Sequence, residues 1–131
     1  MLGGDSVLYV EFEDEGVKAL FNDLNDVRNS NSLMIKKIGA ELTKAVKKRY
    51  NQIISFSSFS ALQQSGLGKM ESLKGDQKGS YSLRVSANYR LILRPKTKDQ
   101  SAESLKNCDA LTIEGVIDYH GKGKKINWII P

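Results

Sequence analysis

Residues 73–90 read LKGDQKGSYSLRVSANYR, and this stretch decides which fold the chain can adopt. Apolar and polar side chains alternate with a period of two over residues 81–85 and again over residues 89–94, which is the pattern of two half-buried β-strands. A loop of three residues between them pairs Arg84 with Arg90 and leaves every apolar pair on one face. The sequence therefore predicts a β-hairpin with two arginines side by side on its solvent face.

The predicted arginine pair indicates a site for an anion. Like charges directly across a hairpin repel each other, and a phosphate bound between Arg84 and Arg90 would remove that penalty. Asn88, the last loop residue, tolerates the left-handed conformation that a three-residue hairpin commonly needs. The turn before the hairpin lacks the strand-to-helix context of glycine-rich nucleotide-binding loops, so we interpret it as a turn that projects Lys74 and Lys78.

Upstream of the hairpin, the pattern predicts mostly helices. Residues 7–12 are rich in β-branched and aromatic side chains and predict a first strand. Apolar residues at helical spacing predict a short helix over residues 17–27 and a longer, lysine-rich helix over residues 33–54. Residues 55–68 are rich in serine and predict mostly loop with one helical turn at most.

Downstream, Pro95 ends the second hairpin strand, and the polar residues 96–109 predict a surface excursion. Residues 111–119 predict a last strand, and residues 126–130 an apolar tail in which Trp128 packs over the sheet edge. The faces of the last strand are predicted to carry Ile113, Ile117 and Tyr119 on one side, and Glu114, Val116, Asp118 and His120 on the other.

Composition limits the class of protein. The chain has 131 residues and a formal net charge of +5, while residues 1–30 carry seven acidic side chains against two basic ones. The remaining chain is therefore strongly basic, which favours a polyanionic partner such as nucleic acid. We expect no membrane span, no secretory signal, no disulfide from the lone Cys108, no metal and no cofactor, and a cytoplasmic location.

The only histidine completes a candidate site. His120 follows Tyr119 at the end of the predicted last strand, and an imidazole with an unperturbed pKa of about 6.5 suits proton transfer in either direction. With one histidine, no Ser-His-Asp or Cys-His arrangement can be argued. Positive charge beside a proton donor suits metal-free chemistry on a phosphodiester.

Taken together, these segments resemble the HigB-type toxins of the RelE/ParE superfamily of bacterial toxin–antitoxin systems. The resemblance rests on residues 73–76, 79–82, 88–90 and 118–120. It implies an α+β fold in which two N-terminal helices pack on a small twisted, mostly antiparallel sheet. It also implies a single domain over residues 1–131, with an insertion at about 96–109 and a C-terminal extension at 121–131.

The activity implied by the resemblance is ribosome-dependent cleavage of mRNA in the A site, without a metal and with the substrate 2′-hydroxyl as nucleophile. Lys74 and Arg90 would neutralise the scissile phosphate, and Tyr119 and His120 would transfer protons or orient the substrate. Glu71 stands where family members often carry histidine, and it either replaces that residue as a base or pairs with Lys74. The residues expected to bind RNA are Arg84, Lys78, Arg94 and Lys122.

The partners implied by the resemblance are a cognate antitoxin of the helix-turn-helix type and the ribosome, with operator DNA reached only through the antitoxin complex. Two alternatives stay open. One is a ParE-like inhibitor of DNA gyrase on the same scaffold, and the other is a catalytically inactive basic interaction module. Fold alone does not separate them.

Overall fold

The computed structural model describes residues 8–22, 33–119 and 127–131, and these form one six-stranded sheet with helices packed on it. The strands are β1 (Tyr9–Phe12), β2 (Glu71–Ser72), β3 (Tyr81–Arg84), β4 (Tyr89–Pro95), β5 (Ala110–Asp118) and β6 (Asn127–Ile130). Their order in the sheet is β1-β5-β4-β3-β2, and β6 pairs with β5. All neighbouring strands are antiparallel except β1, which runs parallel to β5. The predicted α+β class with a mostly antiparallel sheet is confirmed.

The helical part of the chain is more divided than the sequence predicts. The helix expected over residues 33–54 is broken at Gly39, whose positive φ of 89° an α-helix cannot contain. None of the described helices is long and apolar enough to cross a membrane. The helices are α1 (Glu15–Asn22), α2 (Leu33–Ile38), α3 (Ala40–Ile54), α4 (Phe59–Ser65) and α5 (Ala102–Lys106).

Two of these helices lie in segments for which no full helix was predicted: residues 55–68, expected to be mostly loop with one helical turn, and residues 96–109, expected to be a polar surface excursion. In α4, the Ser58 hydroxyl accepts a hydrogen bond from the Ala61 N–H, and Gly66 ends the helix in a left-handed conformation. In α5, Ser101 caps the first turn in the same way by accepting from the Ser104 N–H. Ser58, one of the serines that favoured a loop over residues 55–68, is in fact a helix N-cap, which is a role that serine plays at helix N-termini.

The core lies between the helices and one face of the sheet, which we call the core face. Leu83, Leu91 and Leu93 of the hairpin strands pack there against apolar residues of the helices. The other face carries Arg84, Arg90, Ile92 and Ile117, and we call it the outer face. The helix residues of the core are Val17, Phe21, Met34, Val46, Ile53, Phe59, Leu62 and Leu105.

A β-bulge in β5 changes which residues face the core. Leu93 pairs with Ile113 and Ile92 pairs with Gly115, so Glu114 is an extra residue. Ile113 and Val116 both belong to the core, whereas Ile117 does not. The predicted alternation along this strand is therefore wrong after Ile113, because the bulge inverts it.

Gly115 allows β6 to approach this bulge. Its φ is +153°, and a Cβ built on it would lie 2.0 Å from the Ile130 carbonyl oxygen. We predict that Gly115→Ala destabilises the fold by about 1–3 kcal/mol from backbone strain, with a further loss from the clash. Urea unfolding should show it as a lower midpoint.

Gly66→Ala is the matched control for this substitution. Gly66 also has a positive φ, of +76°, but nothing lies within 4 Å of the Cβ position, so it carries only the conformational cost. An equal loss of stability in the two variants would contradict the proposed clash with β6.

Candidate active site

The hairpin of β3 and β4 has the predicted register. Arg84 lies opposite Arg90, and Leu83 lies opposite Leu91. The Val85 N–H donates to the Tyr89 carbonyl at 2.9 Å and closes a loop of three residues. The prediction of two cross-strand arginines on the outer face is confirmed.

The surroundings of Arg90 differ from the prediction, because Arg90 is buried, at 6% exposed, while Arg84 is exposed. The Arg90 guanidinium bends back over the hairpin loop, where its Nη1 lies 3.3 Å from the carbonyls of Ser86 and Ala87. It also stacks on the Tyr119 ring, 4.7 Å from the ring centroid. The Arg90 guanidinium thus donates to loop carbonyls and lies at the outer face of the sheet.

The expected left-handed conformation of Asn88 is absent. Among the described non-glycine residues, only Lys69 has a positive φ. The Asn88 carbonyl instead accepts the Tyr119 N–H at 2.5 Å, which ties the hairpin loop to the end of β5. This hydrogen bond places Tyr119 where its ring can cover Arg90.

Burial lowers the pKa of the Arg90 guanidinium, and the charge of Arg84 lowers it further, whereas Tyr119 and Glu71 raise it. Glu71 lies opposite Ser82 across β2 and β3, so its side chain shares the outer face with Arg84. The sheet therefore brings Glu71, Arg84, Arg90 and Tyr119 together. We call these four residues the outer-face cluster.

Cations at the two ends of the outer face differ in whether they form ion pairs with described carboxylates. Arg94 lies 2.5 Å from Glu114 and 3.2 Å from Glu13, and Lys96 lies 2.7 Å from Glu11. In the described part of the chain, neither Arg84 nor Arg90 has a carboxylate within 4.0 Å. Two adjacent arginines without an ion pair are an arrangement that an anion would stabilise.

The backbone of Arg84 is held from two sides. The Arg49 Nε of α3 donates to the Arg84 carbonyl at 2.7 Å, and the Arg49 Nη1 donates to Gln52 at 2.8 Å. Gly68 lies against the same segment, since a Cβ on it would be 3.0 Å from Leu83 and 3.1 Å from the Arg84 nitrogen. These contacts fix the end of β3 that carries the arginine pair.

The predicted lysines lie elsewhere. The Leu73 N–H donates to the Ser80 carbonyl, four residues before Arg84, so the backbone of Leu73 is about 13 Å along the strand from the arginine pair, and Lys74 follows it in the turn. Lys74 and Lys78 line a separate cavity. His120 and Lys122 lie outside the described residues.

Two features of the site were missed from sequence. Arg49 was predicted only as one of several exposed cations on a helix, and its contact with Arg84 spans 35 positions in the chain. The bulge at Glu114 buries that carboxylate beside Ser80, whose hydroxyl donates to it at 2.5 Å. A glycine inside a strand pattern, here Gly115, was the signal available for the bulge.

Within residues 8–22, 33–119 and 127–131, no three His, Cys, Asp or Glu side chains form a group that could hold a metal ion.

Comparison with known proteins gives structural neighbours but no family. No family model matches the chain, and no curated protein matches it. The chain is similar to the solved YoeB/ParE toxin from Agrobacterium tumefaciens, with 18% identity over 87% of this chain and 100% of that chain, and a TM-score of 0.47. It is also similar to the YoeB dimer from Staphylococcus aureus, with 19% identity over 87% of this chain and 98% of that chain, and a TM-score of 0.46.

Both TM-scores lie below one half, so these likenesses carry no argument about activity. Neither neighbour is described as a HigB protein, and the HigB subtype stays a prediction.

The Arg49 contact generates a prediction about the hairpin. Arg49→Ala removes the hydrogen bond to the Arg84 carbonyl, and we expect a loss of about 1 kcal/mol in the free energy of unfolding. The Val85 amide at the hairpin end should exchange with solvent faster. Amide hydrogen exchange measures both effects.

Lys48→Ala, an exposed cation on the same helix, is the control and should leave that exchange rate unchanged. If the two variants exchanged alike, the proposed role of Arg49 in holding the hairpin would be wrong.

Proposed function

We propose that this chain is the toxin of a type II toxin–antitoxin pair, a RelE/ParE-like endoribonuclease that cleaves mRNA in the ribosomal A site without a metal. The observation that carries the proposal is the outer-face cluster, in which two arginines that form no ion pair with any described residue lie beside a tyrosine and a carboxylate. Motif resemblance to the superfamily supports it independently of that geometry.

The chemistry of the proposed reaction needs only groups of this kind. A base removes the proton of the 2′-hydroxyl, the 2′-oxygen forms a bond to phosphorus, and the bond from phosphorus to the 5′-oxygen breaks. An acid protonates the departing 5′-oxygen, which leaves a 2′,3′-cyclic phosphate and a free 5′-hydroxyl. Cations stabilise the extra negative charge of the five-coordinate transition state.

The outer-face cluster supplies a residue for each role. Arg90 and Arg84 stabilise the phosphate, and partial desolvation of Arg90 strengthens its electrostatic effect. Glu71 is exposed on the same face and accepts the 2′-hydroxyl proton. Tyr119, with His120 next to it in the chain, positions the leaving group and supplies its proton.

A surface of this type also explains how the proposed partners act. The exposed arginine and the tyrosine at 46% exposure leave the site accessible to a strand of RNA. A cognate antitoxin, expected to be of the helix-turn-helix type, neutralises the toxin by covering that surface. Like its ribosomal substrate, the protein acts in the cytoplasm under this proposal.

Arg90 can be tested by substitution in expressing cells. Expression of the chain should arrest growth and fragment translated mRNA. Arg90→Ala should lower cleavage by about 10²–10³-fold, the usual effect of removing one transition-state stabiliser. Arg90→Lys keeps the charge but loses the planar fork, and should fall in between. Growth curves and mapping of mRNA ends from expressing cells measure the effect, and circular dichroism checks that each variant folds.

His120→Ala should likewise restore growth, while Lys98→Ala, an exposed cation in the 96–109 insertion, should stay toxic. If Arg90→Ala and His120→Ala both stay fully toxic while gyrase activity falls, the protein is a gyrase inhibitor and the cleavage proposal is wrong. Wild-type chain that neither arrests growth nor cuts mRNA would instead indicate an inactive interaction module.

Glu71, the proposed base, can be tested with an isosteric amide. Glu71→Gln keeps the size of the side chain but cannot accept the proton, so single-turnover cleavage should slow by about 10²–10⁴-fold. Binding of a non-cleavable 2′-O-methyl RNA should stay the same or tighten, because a negative charge is removed. A Glu71→Gln variant that cleaves at the wild-type rate would exclude Glu71 as the base.

A further inference from the structure

A cavity lies beside the turn between β2 and β3, away from the arginine pair. It has a volume of about 310 Å³, within the range of small-ligand pockets. Among the residues that line it are Lys74, Lys78, Tyr81 and Gln100. The outer-face cluster contributes none of the lining residues, so the cavity is a distinct site.

The turn leaves its backbone open to this cavity. Gly75 and Gly79 both have positive φ values, of +66° and +97°, and nothing lies within 4 Å of the Cβ position of either. Glycines with free space on that side allow a ligand to approach the main chain closely. Two lysines on the same turn add positive charge, so the chemistry favours a phosphorylated ligand.

Residues 96–109 contribute Gln100 to the lining of the cavity. The Tyr81 hydroxyl donates to the Gln100 Oε1 at 2.8 Å, which fixes the amide of Gln100 at the rim. Tyr81 is itself held by the core, because its ring stacks on Phe59 with centroids 5.0 Å apart. Burial raises the pKa of the Tyr81 phenol, so the hydroxyl remains a donor at neutral pH.

An amide held in this way can recognise a base. With its oxygen engaged by Tyr81, Gln100 has its nitrogen left to donate to an acceptor on a base edge. Leu73 and Tyr81 give the cavity an apolar wall beside that amide. The combination of cations, an amide and an apolar wall fits one nucleotide.

The position of the cavity relates it to the proposed cleavage site. Leu73, next to Lys74, lies about 13 Å along the strand from Arg84. The cavity lies beside β2, the edge strand of the sheet, on the side of Tyr81 rather than of Arg84, so one RNA strand that passes around this edge can reach both the cavity and the arginine pair. We propose that the cavity is a second nucleotide subsite, in which Lys74 and Lys78 hold a phosphate near the scissile one and Gln100 contacts the neighbouring base. This proposal rests on the proposed function, and it removes Lys74 from the scissile phosphate.

The test uses the purified full-length chain and two probes, uridine 5′-monophosphate and a 2′-O-methyl tetraribonucleotide that cannot be cleaved. In ¹⁵N-resolved NMR spectra, the monophosphate should shift the amides of Gly75 and Gly79 and the side-chain amide of Gln100. The tetranucleotide should shift those signals and also the backbone amides of Arg90 and Tyr119.

Affinity for the tetranucleotide separates charge from base recognition. Removing both lysines, as Lys74→Ala with Lys78→Ala, should weaken binding by at least about tenfold, the effect of losing one charge-assisted hydrogen bond. Each lysine removed should also reduce the slope of log affinity against log salt by about 0.7. Gln100→Ala should weaken binding without changing that slope. Lys106→Ala, an exposed cation on α5, should change neither quantity.

Two outcomes would overturn the subsite. One is tetranucleotide binding with no shift at Gly75, Gly79 or Gln100, and the other is an equal loss of affinity in Lys106→Ala and the lysine variants. Cleavage of mRNA by a chain that shows no cavity shifts would remove the subsite alone. A chain that shows the shifts but leaves mRNA intact would keep the cavity as an RNA-binding site and remove the proposed cleavage.

Discussion

The repulsion between Arg84 and Arg90 is the interaction around which the outer face is organised. Directly opposed like charges destabilise a hairpin. The structure reduces that cost by engaging one guanidinium with loop carbonyls and a tyrosine ring, and by leaving the other in solvent. It does not supply either arginine with an ion pair among the described residues. A bound anion would compensate for the rest of that cost.

The contrast with Arg94 shows that ion pairing on this sheet is selective. Glu114 is buried by the bulge in β5, and it holds Arg94 and Ser80 at the opposite end of the outer face. Gly115 allows the backbone of β6 to approach this bulge at a distance that no side chain allows. Which cations of this sheet are neutralised by a carboxylate therefore depends on backbone geometry as much as on which residues are at the surface.

How much of this could be read from the sequence depends on the range of the interaction. The hairpin was predictable because period-two alternation and a three-residue loop are local, and only one register keeps the apolar residues together. The break at Gly39 and the inversion at Glu114 were missed, because each depends on one glycine with a positive φ, Gly39 or Gly115, and periodicity does not show which glycine in a pattern adopts that conformation. Arg49 could not be assigned at all, because nothing in a helical pattern indicates which carbonyl of a distant strand a side chain will reach.

The separation of Lys74 from Arg90 also depends on tertiary structure, and it has the largest consequence for the proposed function. Residues 16 positions apart on two strands and a turn can share a site or lie at opposite ends of a strand, and the spacing alone does not distinguish these cases. Here β3 runs between them, so cations that were expected to converge on one phosphate lie at two points along the sheet. Under the proposed function, a single strand of RNA would supply negative charge at both points and a base for Gln100 to contact. Residues 96–109 would then have a physical role, because they supply Gln100, whose amide would contact that base.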